Sequence, residues 1–331
     1  MFKYNEISSV HLEISTRCNA ACPECPRNFR GVDVIDSYPI CDMSLDQAKK
    51  IFPPLFLKQL NHILINGNYG DFITARDGLE IVEYFKSQNP SLQVEISTNA
   101  SGRPNIWSRL GELNTKVYFR LDGLEDTHHL YRQYTDFNLI LDNARKFIEA
   151  GGHAVWAFIP FSHNQHQIDQ AMQLSSQLGF KEFQIVDAGR NIGPVFSRDK
   201  KYSHSLGNYT GSKSFDELLE FHRYYVNNPA ITILETEHVS KKINCHAKKQ
   251  KQIYVTANGE VYPCCWLGFY PMQQTGNPSN LQLRPIIKNN NALENGIENA
   301  IEWFSKIEET WTIESIAQGK IYTCNETCGQ N

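Results

Sequence analysis

Short apolar, β-branched runs alternate with helical patterns along the first two thirds of the chain. The strand-like runs lie at residues 10–15, 62–66, 93–98, 116–121, 154–159 and 182–186. Apolar residues at helical spacing fill most of the intervals, and a capping box at Ser44 and Gln47 predicts a helix that continues to about Gln59. Six strands alternating with helices predict an α/β fold with a parallel sheet, either an open partial barrel or a doubly wound sheet. In both folds, ligands bind at the carboxyl ends of the strands.

The pattern changes in the last third of the chain. Residues 191–244 contain one helical pattern, at 214–227, and otherwise predict a connector. Further along, residues 252–262 predict a β-hairpin with a type I′ turn at Asn258-Gly259, and helical patterns follow at 292–306 and 313–319. We therefore expect a large domain over residues 1–190, a connector over 191–244 and a small C-terminal domain over 245–331.

Composition and charge narrow the functional classes. Of the 331 residues, 41% are hydrophobic and 21% are charged, which excludes a disordered chain. The formal net charge of −4 argues against a nucleic-acid partner. No run of apolar residues is long enough to span a membrane, and the first residues lack the apolar core of a secretion signal, so a cytoplasmic location is expected.

The nine cysteines form two groups with different spacings. Cys18, Cys22 and Cys25 follow the first predicted strand as C-x3-C-x2-C, and five more lie in the last quarter of the chain. Without an export signal, clustered cysteines indicate metal or redox chemistry rather than disulfides. Three thiolates on one loop can hold three corners of a cubane iron–sulfur cluster and leave one iron open. A zinc site or free thiols are the alternatives.

The first cysteine group resembles the signature of the radical S-adenosylmethionine (radical SAM) superfamily, C-x3-C-x-Φ-C, placed directly after the first strand. The resemblance implies a partial (β/α)6 TIM-like barrel and a [4Fe–4S] cluster on Cys18, Cys22 and Cys25. It also implies that SAM binds the open iron and is cleaved to a 5′-deoxyadenosyl radical, which abstracts a hydrogen atom from the substrate. Glu24 stands where the family usually has an aromatic residue.

Later strand ends resemble the SAM-binding segments of the same family. Gly67-Asn68-Tyr69-Gly70-Asp71 stands in place of its glycine-rich motif, and 97–99 and 120–124 resemble its next two segments. Arginines near the fourth strand are candidate partners of the SAM carboxylate, because guanidinium pairs bidentately with it. The residues expected to contact the cofactor are Glu24, Gly67, Asn68, Gly70, Asp71, Ser97, Asn99, Arg120, Arg132 and Ile159.

The second cysteine group resembles the SPASM/twitch type of C-terminal domain. Thirteen residues separate Cys245 from Gly259, and four separate Gly259 from Cys264. The resemblance implies a small iron–sulfur (twitch) domain whose auxiliary [4Fe–4S] cluster is held by Cys245, Cys264, Cys324 and Cys328. Cys265 in place of Cys264, and a four-cysteine zinc ribbon, are the alternatives.

Together the two resemblances imply an oxidoreductase-type radical SAM enzyme with two [4Fe–4S] clusters. We expect a two-electron oxidation of a small molecule or a peptide, with an external one-electron reductant of the flavodoxin or ferredoxin type. Only 17 residues precede the first cysteine, so no leader-peptide-binding domain is expected. A peptide-modifying maturase of the SPASM group is one alternative, and a zinc-binding interaction protein without enzyme activity is the other.

Overall fold

The computed structural model describes residues 1–32, 39–186, 193–206, 211, 213–228, 240–269 and 277–330. Its main feature is an eight-stranded sheet with strand order β11-β10-β1-β2-β3-β4-β5-β6. These strands are β1 (Ser9–Leu12), β2 (His62–Ile65), β3 (Gln93–Thr98), β4 (Lys116–Arg120), β5 (His153–Phe158), β6 (Glu182–Ile185), β10 (Gln252–Val255) and β11 (Val261–Tyr262). Two small sheets pair β7 (Pro194–Phe196) with β8 (Tyr202–Ser205) and β9 (Lys242–Ile243) with β12 (Gly329–Gln330).

Six consecutive strands, β1 to β6, pair in parallel, as the alternation of strands and helices predicts. Each pairs with its neighbours in chain order, which the alternation alone left open. The helices are α1 (Leu45–Ile51), α2 (Pro54–Gln59), α3 (Gly78–Gln88), α4 (Trp107–Glu112), α5 (His128–Tyr131), α6 (Phe137–Glu149), α7 (Ile168–Gln177), α8 (Phe215–Asn227), α9 (His246–Gln250), α10 (Cys265–Phe269), α11 (Ser279–Leu283), α12 (Ala292–Ala300), α13 (Phe304–Glu309) and α14 (Tyr322–Cys328). None of the helices in the described part of the chain is both long and apolar enough to cross a membrane.

The predicted helix after Ser44 begins as expected but is interrupted. Ser44 and Gln47 form the capping box: the Gln47 amide donates to Ser44 Oγ over 3.2 Å and the Ser44 amide donates to Gln47 Oε1 over 2.9 Å. The chain then leaves α1 at Phe52, and α2 starts with Pro54 in its first turn. Proline has no amide hydrogen and excludes helical backbone at the residue before it, so Pro53 and Pro54 divide the segment.

Two sequence expectations for the last quarter are wrong in detail. In the hairpin β10–β11, Gly259 has a φ of +86° but Asn258 does not adopt the positive φ that a type I′ turn requires. The connection is a three-residue loop ending in a left-handed glycine. Residues 313–319 form turns rather than a helix, whereas α14 was not predicted and places Cys324 and Cys328 four residues apart on one helical face.

The last quarter of the chain joins the main sheet through β10. This strand pairs in parallel with β1 in the register Ser9↔Gln252 to Leu12↔Val255. The small β9–β12 sheet pairs Ile243 with Gly329 and thereby brings the start of the last quarter to the end of the chain. The structure thus joins the last quarter of the chain to β1 through β10. The predicted domain boundaries stay predictions, and much of the connector 191–244 lies outside the described residues.

Candidate active site at the carboxyl ends of the strands

Cys18, Cys22 and Cys25 lie on the loop that follows β1. The loop is folded tightly, since the Cys25 amide donates to the Cys22 carbonyl over 3.0 Å. Cys22 is buried, with 7% of its surface exposed, and it packs with Ile159 and Phe161 from the end of β5. The three thiols therefore sit within the protein at the carboxyl ends of the strands.

Two nitrogen donors from other segments of the chain lie close to these sulfurs. Asn99 Nδ2, just after β3, lies 3.7 Å from Cys18 Sγ. Arg132 Nη1, just after α5, lies 3.7 Å from Cys22 Sγ. Burial, together with the negative charges of Asp71, Cys22 and Cys25, raises the pKa of Cys18 well above its usual value. Three thiolates crowded beside a carboxylate suit a cationic metal centre, which removes this repulsion.

Asp71 holds the end of β3 in place. Its carboxylate accepts hydrogen bonds from Thr98 Oγ1 at 2.5 Å, from the Asn99 amide at 2.8 Å and from the Ile73 amide at 3.2 Å. Burial raises the pKa of Asp71, and these hydrogen bonds counteract the rise. Asp71 thereby fixes the position of Asn99, the residue that approaches Cys18.

A buried ion pair joins the ends of β4 and β5. Arg132 Nε donates to Asp122 Oδ2 over 2.5 Å, and the Ile159 amide donates to Asp122 Oδ1 over 2.6 Å. Burial opposes the charge of Arg132, but Asp122 and Cys22 attract it and raise its pKa above the usual value. The guanidinium therefore stays charged next to the cysteine loop.

The remaining predicted contacts occupy the same edge of the sheet or its rim. Arg120 Nε donates to Ser97 Oγ over 2.8 Å, so the ends of β3 and β4 are linked. Glu24, in the place of the family's aromatic residue, forms an ion pair with Arg30 at 2.6 Å. Ile159 is buried against Cys22. Ser97, Arg120 and Ile159 lie at the carboxyl ends of β3, β4 and β5, and direct contact with a cofactor remains a prediction for each predicted residue.

The glycines of the segment 67–71 (the glycine loop) permit a close approach to β1 and the cysteine loop. A Cβ on Gly70 would lie 1.8 Å from the Ser15 carbonyl oxygen, and one on Gly67 would lie 2.7 Å from a Glu13 carboxylate oxygen. The Asp71 amide donates to the Arg17 carbonyl over 2.8 Å. The glycine loop is therefore packed directly against the residues that lead into the cysteine loop.

Four of the five C-terminal cysteines line a single cavity, namely Cys245, Cys264, Cys324 and Cys328. The thiols of Cys245 and Cys328 are hydrogen-bonded to each other, which lowers the pKa of Cys328 and raises that of Cys245. Cys265 begins α10, and burial and the charge of Glu13 raise its pKa to about 11. The cavity thus brings together the four cysteines predicted as the auxiliary set.

Across the described ranges, no three His, Cys, Asp or Glu side chains are arranged around one point as the ligands of a single metal ion. A cubane differs from such a site, because each of its irons takes a separate thiolate. Both cysteine sets therefore stay predictions, although their placement fits this kind of cluster.

Comparison with known proteins supports the same assignment of the fold. No family model matches the chain. Its structure is similar to anSMEcpe with bound AdoMet, with a TM-score of 0.54 and 15% identity over 98% of this chain and 88% of that one. It is also similar to Streptococcus suis SuiB bound to S-adenosylmethionine, with a TM-score of 0.51 and 15% identity over 86% of this chain and 63% of SuiB. The chain has the radical SAM fold.

A curated sequence relative matches part of the chain. The FeMo cofactor biosynthesis protein NifB of Methanocaldococcus jannaschii is 25% identical over 118 residues, which are 34% of this chain and 39% of NifB. The chain therefore spans less than two thirds of both NifB and SuiB. The prediction of an α/β partial barrel of the radical SAM type is confirmed.

One buried residue of the radical SAM fold was missed by the sequence reasoning. Glu13, immediately after β1, has no exposed surface. Its carboxylate accepts from the amides of Tyr69 at 2.8 Å and Gly70 at 3.1 Å and from the Tyr254 hydroxyl at 2.9 Å. An acidic residue inside the apolar run of residues 10–14 was the available signal, because a buried charge needs partners.

Glu13 is expected to make stability depend on pH. Burial raises the pKa of Glu13 from 4.5 to about 7. The folded state binds this proton more tightly than the unfolded state does, so this contribution to stability is full below about pH 4.5 and is lost as the pH rises through 7. The free energy of unfolding of the wild type should fall by an amount on the order of 2 kcal/mol between pH 5 and pH 8, and Glu13→Gln should not show this fall. Chemical unfolding without oxygen measures both. The exposed Glu149→Gln is the control, and equal pH dependence of wild type and Glu13→Gln would contradict the assignment.

Proposed function

We propose that this chain is a radical SAM enzyme with two [4Fe–4S] clusters. Cys18, Cys22 and Cys25 would hold the first cluster, and the cavity of Cys245, Cys264, Cys324 and Cys328 would hold the second. When bound, the first cluster supplies the electron that cleaves SAM to methionine and a 5′-deoxyadenosyl radical, which takes a hydrogen atom from the substrate.

One observation carries this proposal: donors that follow β3 and α5 lie close to the cysteine sulfurs. Asn99 contacts Cys18 and Arg132 contacts Cys22, each at 3.7 Å. Sequence motifs that are far apart in the chain therefore meet around one loop. This is the arrangement required if the same residues hold a cluster and the cofactor beside it.

The protein's own groups would bind and orient SAM. Gly67 and Gly70 let the backbone approach the amino acid part of the cofactor, because neither has a side chain in the way. Arg132, held in place by Asp122, presents a fixed positive charge that suits the SAM carboxylate. Arg120 is fixed by Ser97 on the neighbouring strand and is the second candidate for this role.

The second cysteine set suggests the class of reaction. A cluster held by four cysteines has no open iron for substrate, which suits passing an electron from a substrate radical. We therefore propose a net two-electron oxidation, with an external flavodoxin- or ferredoxin-type protein as the initial electron donor.

Anaerobic reconstitution followed by treatment with dithionite and SAM tests the proposal. We expect about eight irons and eight sulfides per chain, as two cubanes require. We also expect formation of 5′-deoxyadenosine, measured by liquid chromatography and mass spectrometry. Stoichiometric zinc without sulfide, or intact SAM after incubation, would overturn the proposal and favour a zinc-binding interaction protein.

Cys264 and Cys265 provide a matched pair of variants for the auxiliary site. Cys264 lines the cavity, whereas Cys265 is not among its lining residues. We expect Cys264→Ala to reduce the iron content to about four per chain and Cys265→Ala to keep about eight. Iron and sulfide analysis with Mössbauer spectroscopy measures both, and the reverse result would exchange the two assignments.

Peptide modification is the second candidate function, and the structural neighbours favour it. SuiB bound to precursor peptide SuiA matches with a TM-score of 0.51 and 14% identity over 81% of this chain and 62% of that one. Native anSMEcpe with bound AdoMet and Cp18Cys peptide matches with a TM-score of 0.51 and 16% identity. Deuterated peptides and deuterated small molecules should be compared for deuterium transfer into 5′-deoxyadenosine. Transfer from only one class assigns the substrate class.

A further inference from the structure

The glycine loop, residues 67–71, is connected to the auxiliary cysteine site through α10. Cys264, which lines the cavity, immediately precedes this helix, and its carbonyl accepts from the Gly268 amide at 3.0 Å. A Cβ on Gly268 would lie 2.4 Å from the ring of Tyr254, so α10 packs directly on β10. A change in the position of Cys264 is therefore transmitted to the whole of this five-residue helix.

Both ends of α10 hold the glycine loop. Asn68 Nδ2 donates to the Cys265 carbonyl over 3.0 Å, and the Tyr69 hydroxyl donates to the Phe269 carbonyl over 2.5 Å. The rings of Tyr69 and Phe269 stack with centroids 5.3 Å apart and planes 5° apart. These contacts join residues that are 197 and 200 positions apart in the chain.

The backbone of the glycine loop is also fixed by contacts with the residues that follow β1. Glu13 holds the amides of Tyr69 and Gly70, and its other oxygen is held by Tyr254 of β10. Gly70 lies against the Ser15 backbone with no room for a side chain. The loop is therefore held between the residues that follow β1 and α10, so the position of α10 contributes to setting the loop backbone that leads into Asp71.

Asp71 connects the loop to the first cysteine group. Its carboxylate holds the Asn99 amide, and the Asn99 side chain approaches Cys18. An unbroken series of contacts thus runs from Cys264 to Cys18. Each contact is a hydrogen bond, a stacked pair or a close backbone approach, which are the interactions that carry energetic coupling between sites.

We propose that Asn68 and Tyr69 are positioning residues that couple SAM binding to the state of the auxiliary cysteine site. The inference rests on the proposed function and adds a role for the glycine loop: it presents its backbone to SAM in the productive geometry only while α10 is held by a filled auxiliary site. Coupling is reciprocal, so SAM must also affect the auxiliary site.

Binding affinities of four reconstituted proteins test the coupling. SAM dissociation constants are measured without oxygen for wild type, Cys328→Ser, Tyr69→Phe and the double variant. We expect Cys328→Ser, which removes an auxiliary ligand, to weaken SAM binding about five- to tenfold. Tyr69→Phe, which removes only the hydroxyl bonded to α10, should weaken it by a similar factor, and the double variant should be no weaker than either single variant.

The control variant is Tyr84→Phe. The Tyr84 hydroxyl also donates to a backbone carbonyl, that of Phe52 at 2.9 Å, but on the outer helices away from the glycine loop. Tyr84→Phe should bind SAM with the wild-type dissociation constant. Adding Cys328→Ser to it should weaken SAM binding by the same factor as in the wild type. Additive losses in the Tyr69→Phe double variant, or unchanged SAM affinity in Cys328→Ser, would overturn the coupling.

Two measurements do not depend on turnover. Hydrogen exchange of the peptide spanning the glycine loop should become about five- to tenfold faster in Cys328→Ser than in wild type without SAM. SAM should also change the electron paramagnetic resonance signal of the reduced auxiliary cluster in wild type and not in Tyr69→Phe. An unchanged exchange rate contradicts the coupling alone. A wild-type protein that binds no SAM contradicts the proposed function as well.

Discussion

Replacement of Cys22 by alanine should reduce SAM cleavage to the background of the assay. Cys22 is the most buried of the three cysteines after β1, and its Sγ lies 3.7 Å from Arg132 Nη1. Alanine removes the central thiolate of a three-cysteine set, and two thiolates cannot hold three irons. The measurement is 5′-deoxyadenosine formed per chain with dithionite, together with iron content, which should fall to about four per chain.

Cys41→Ala provides the matched control for this variant. Cys41 is a half-buried cysteine on the same side of the fold, and its sulfur lies 3.9 Å from Thr16 Oγ1. It belongs to neither predicted cluster set, so iron content and SAM cleavage should stay at wild-type levels. Cleavage that persists in Cys22→Ala, or is lost equally in Cys41→Ala, would remove Cys22 from the active centre.

Asp122→Ala should destabilise the protein by about 3–5 kcal/mol, because it leaves a buried guanidinium without its partner. The Asp122 side chain is fully buried and that of Arg132 is 13% exposed, so water cannot replace the lost carboxylate. The substitution also removes the acceptor of the Ile159 amide. Asp122→Asn keeps the shape of the side chain and one acceptor oxygen. Its free energy of unfolding should lie between those of the wild type and Asp122→Ala.

Chemical unfolding without oxygen measures these losses, and a surface pair supplies the comparison. Arg109 and Glu83 form an ion pair at 2.6 Å, but their side chains are 49% and 38% exposed. Because solvent screens this exposed pair, Glu83→Ala should destabilise the protein far less than Asp122→Ala does. If Asp122→Ala cost no more than Glu83→Ala, the buried pair would not hold the ends of β4 and β5 together.

The sequence alone predicted the parallel sheet well, because its signals are local. Apolar runs marked the strands, and the capping box at Ser44 and Gln47 marked the start of a helix that the structure contains. Parallel strands place their carboxyl ends along one edge, and the resemblance to the radical SAM family assigned Asn99 and Arg132 to a site at that edge without a structure. The chemistry of the cysteine spacing supplied the rest of that hypothesis.

Several features were not predictable because they depend on contacts between distant segments. The turn at Gly259 follows from how β10 and β11 pair, and the helix that carries Cys324 and Cys328 has no strong periodic signal of its own. Asp71 was predicted as a cofactor contact, which stays a prediction, but the bonds of its carboxylate to the end of β3 were not predicted. A polar residue in a loop indicates a site, whereas its partners depend on neighbouring strands.

The sequence by itself determined the order of strands, the two cysteine groups and the edge of the sheet at which chemistry would occur, since each follows from local spacing. Only the tertiary structure decided how the two groups relate. It paired β10 with β1, joined the buried Glu13 to Tyr254 of β10 by a hydrogen bond and stacked the ring of Tyr69 on that of Phe269. These contacts join residues at least 200 positions apart. No local pattern specifies them, because they form only when two separately encoded surfaces pack together.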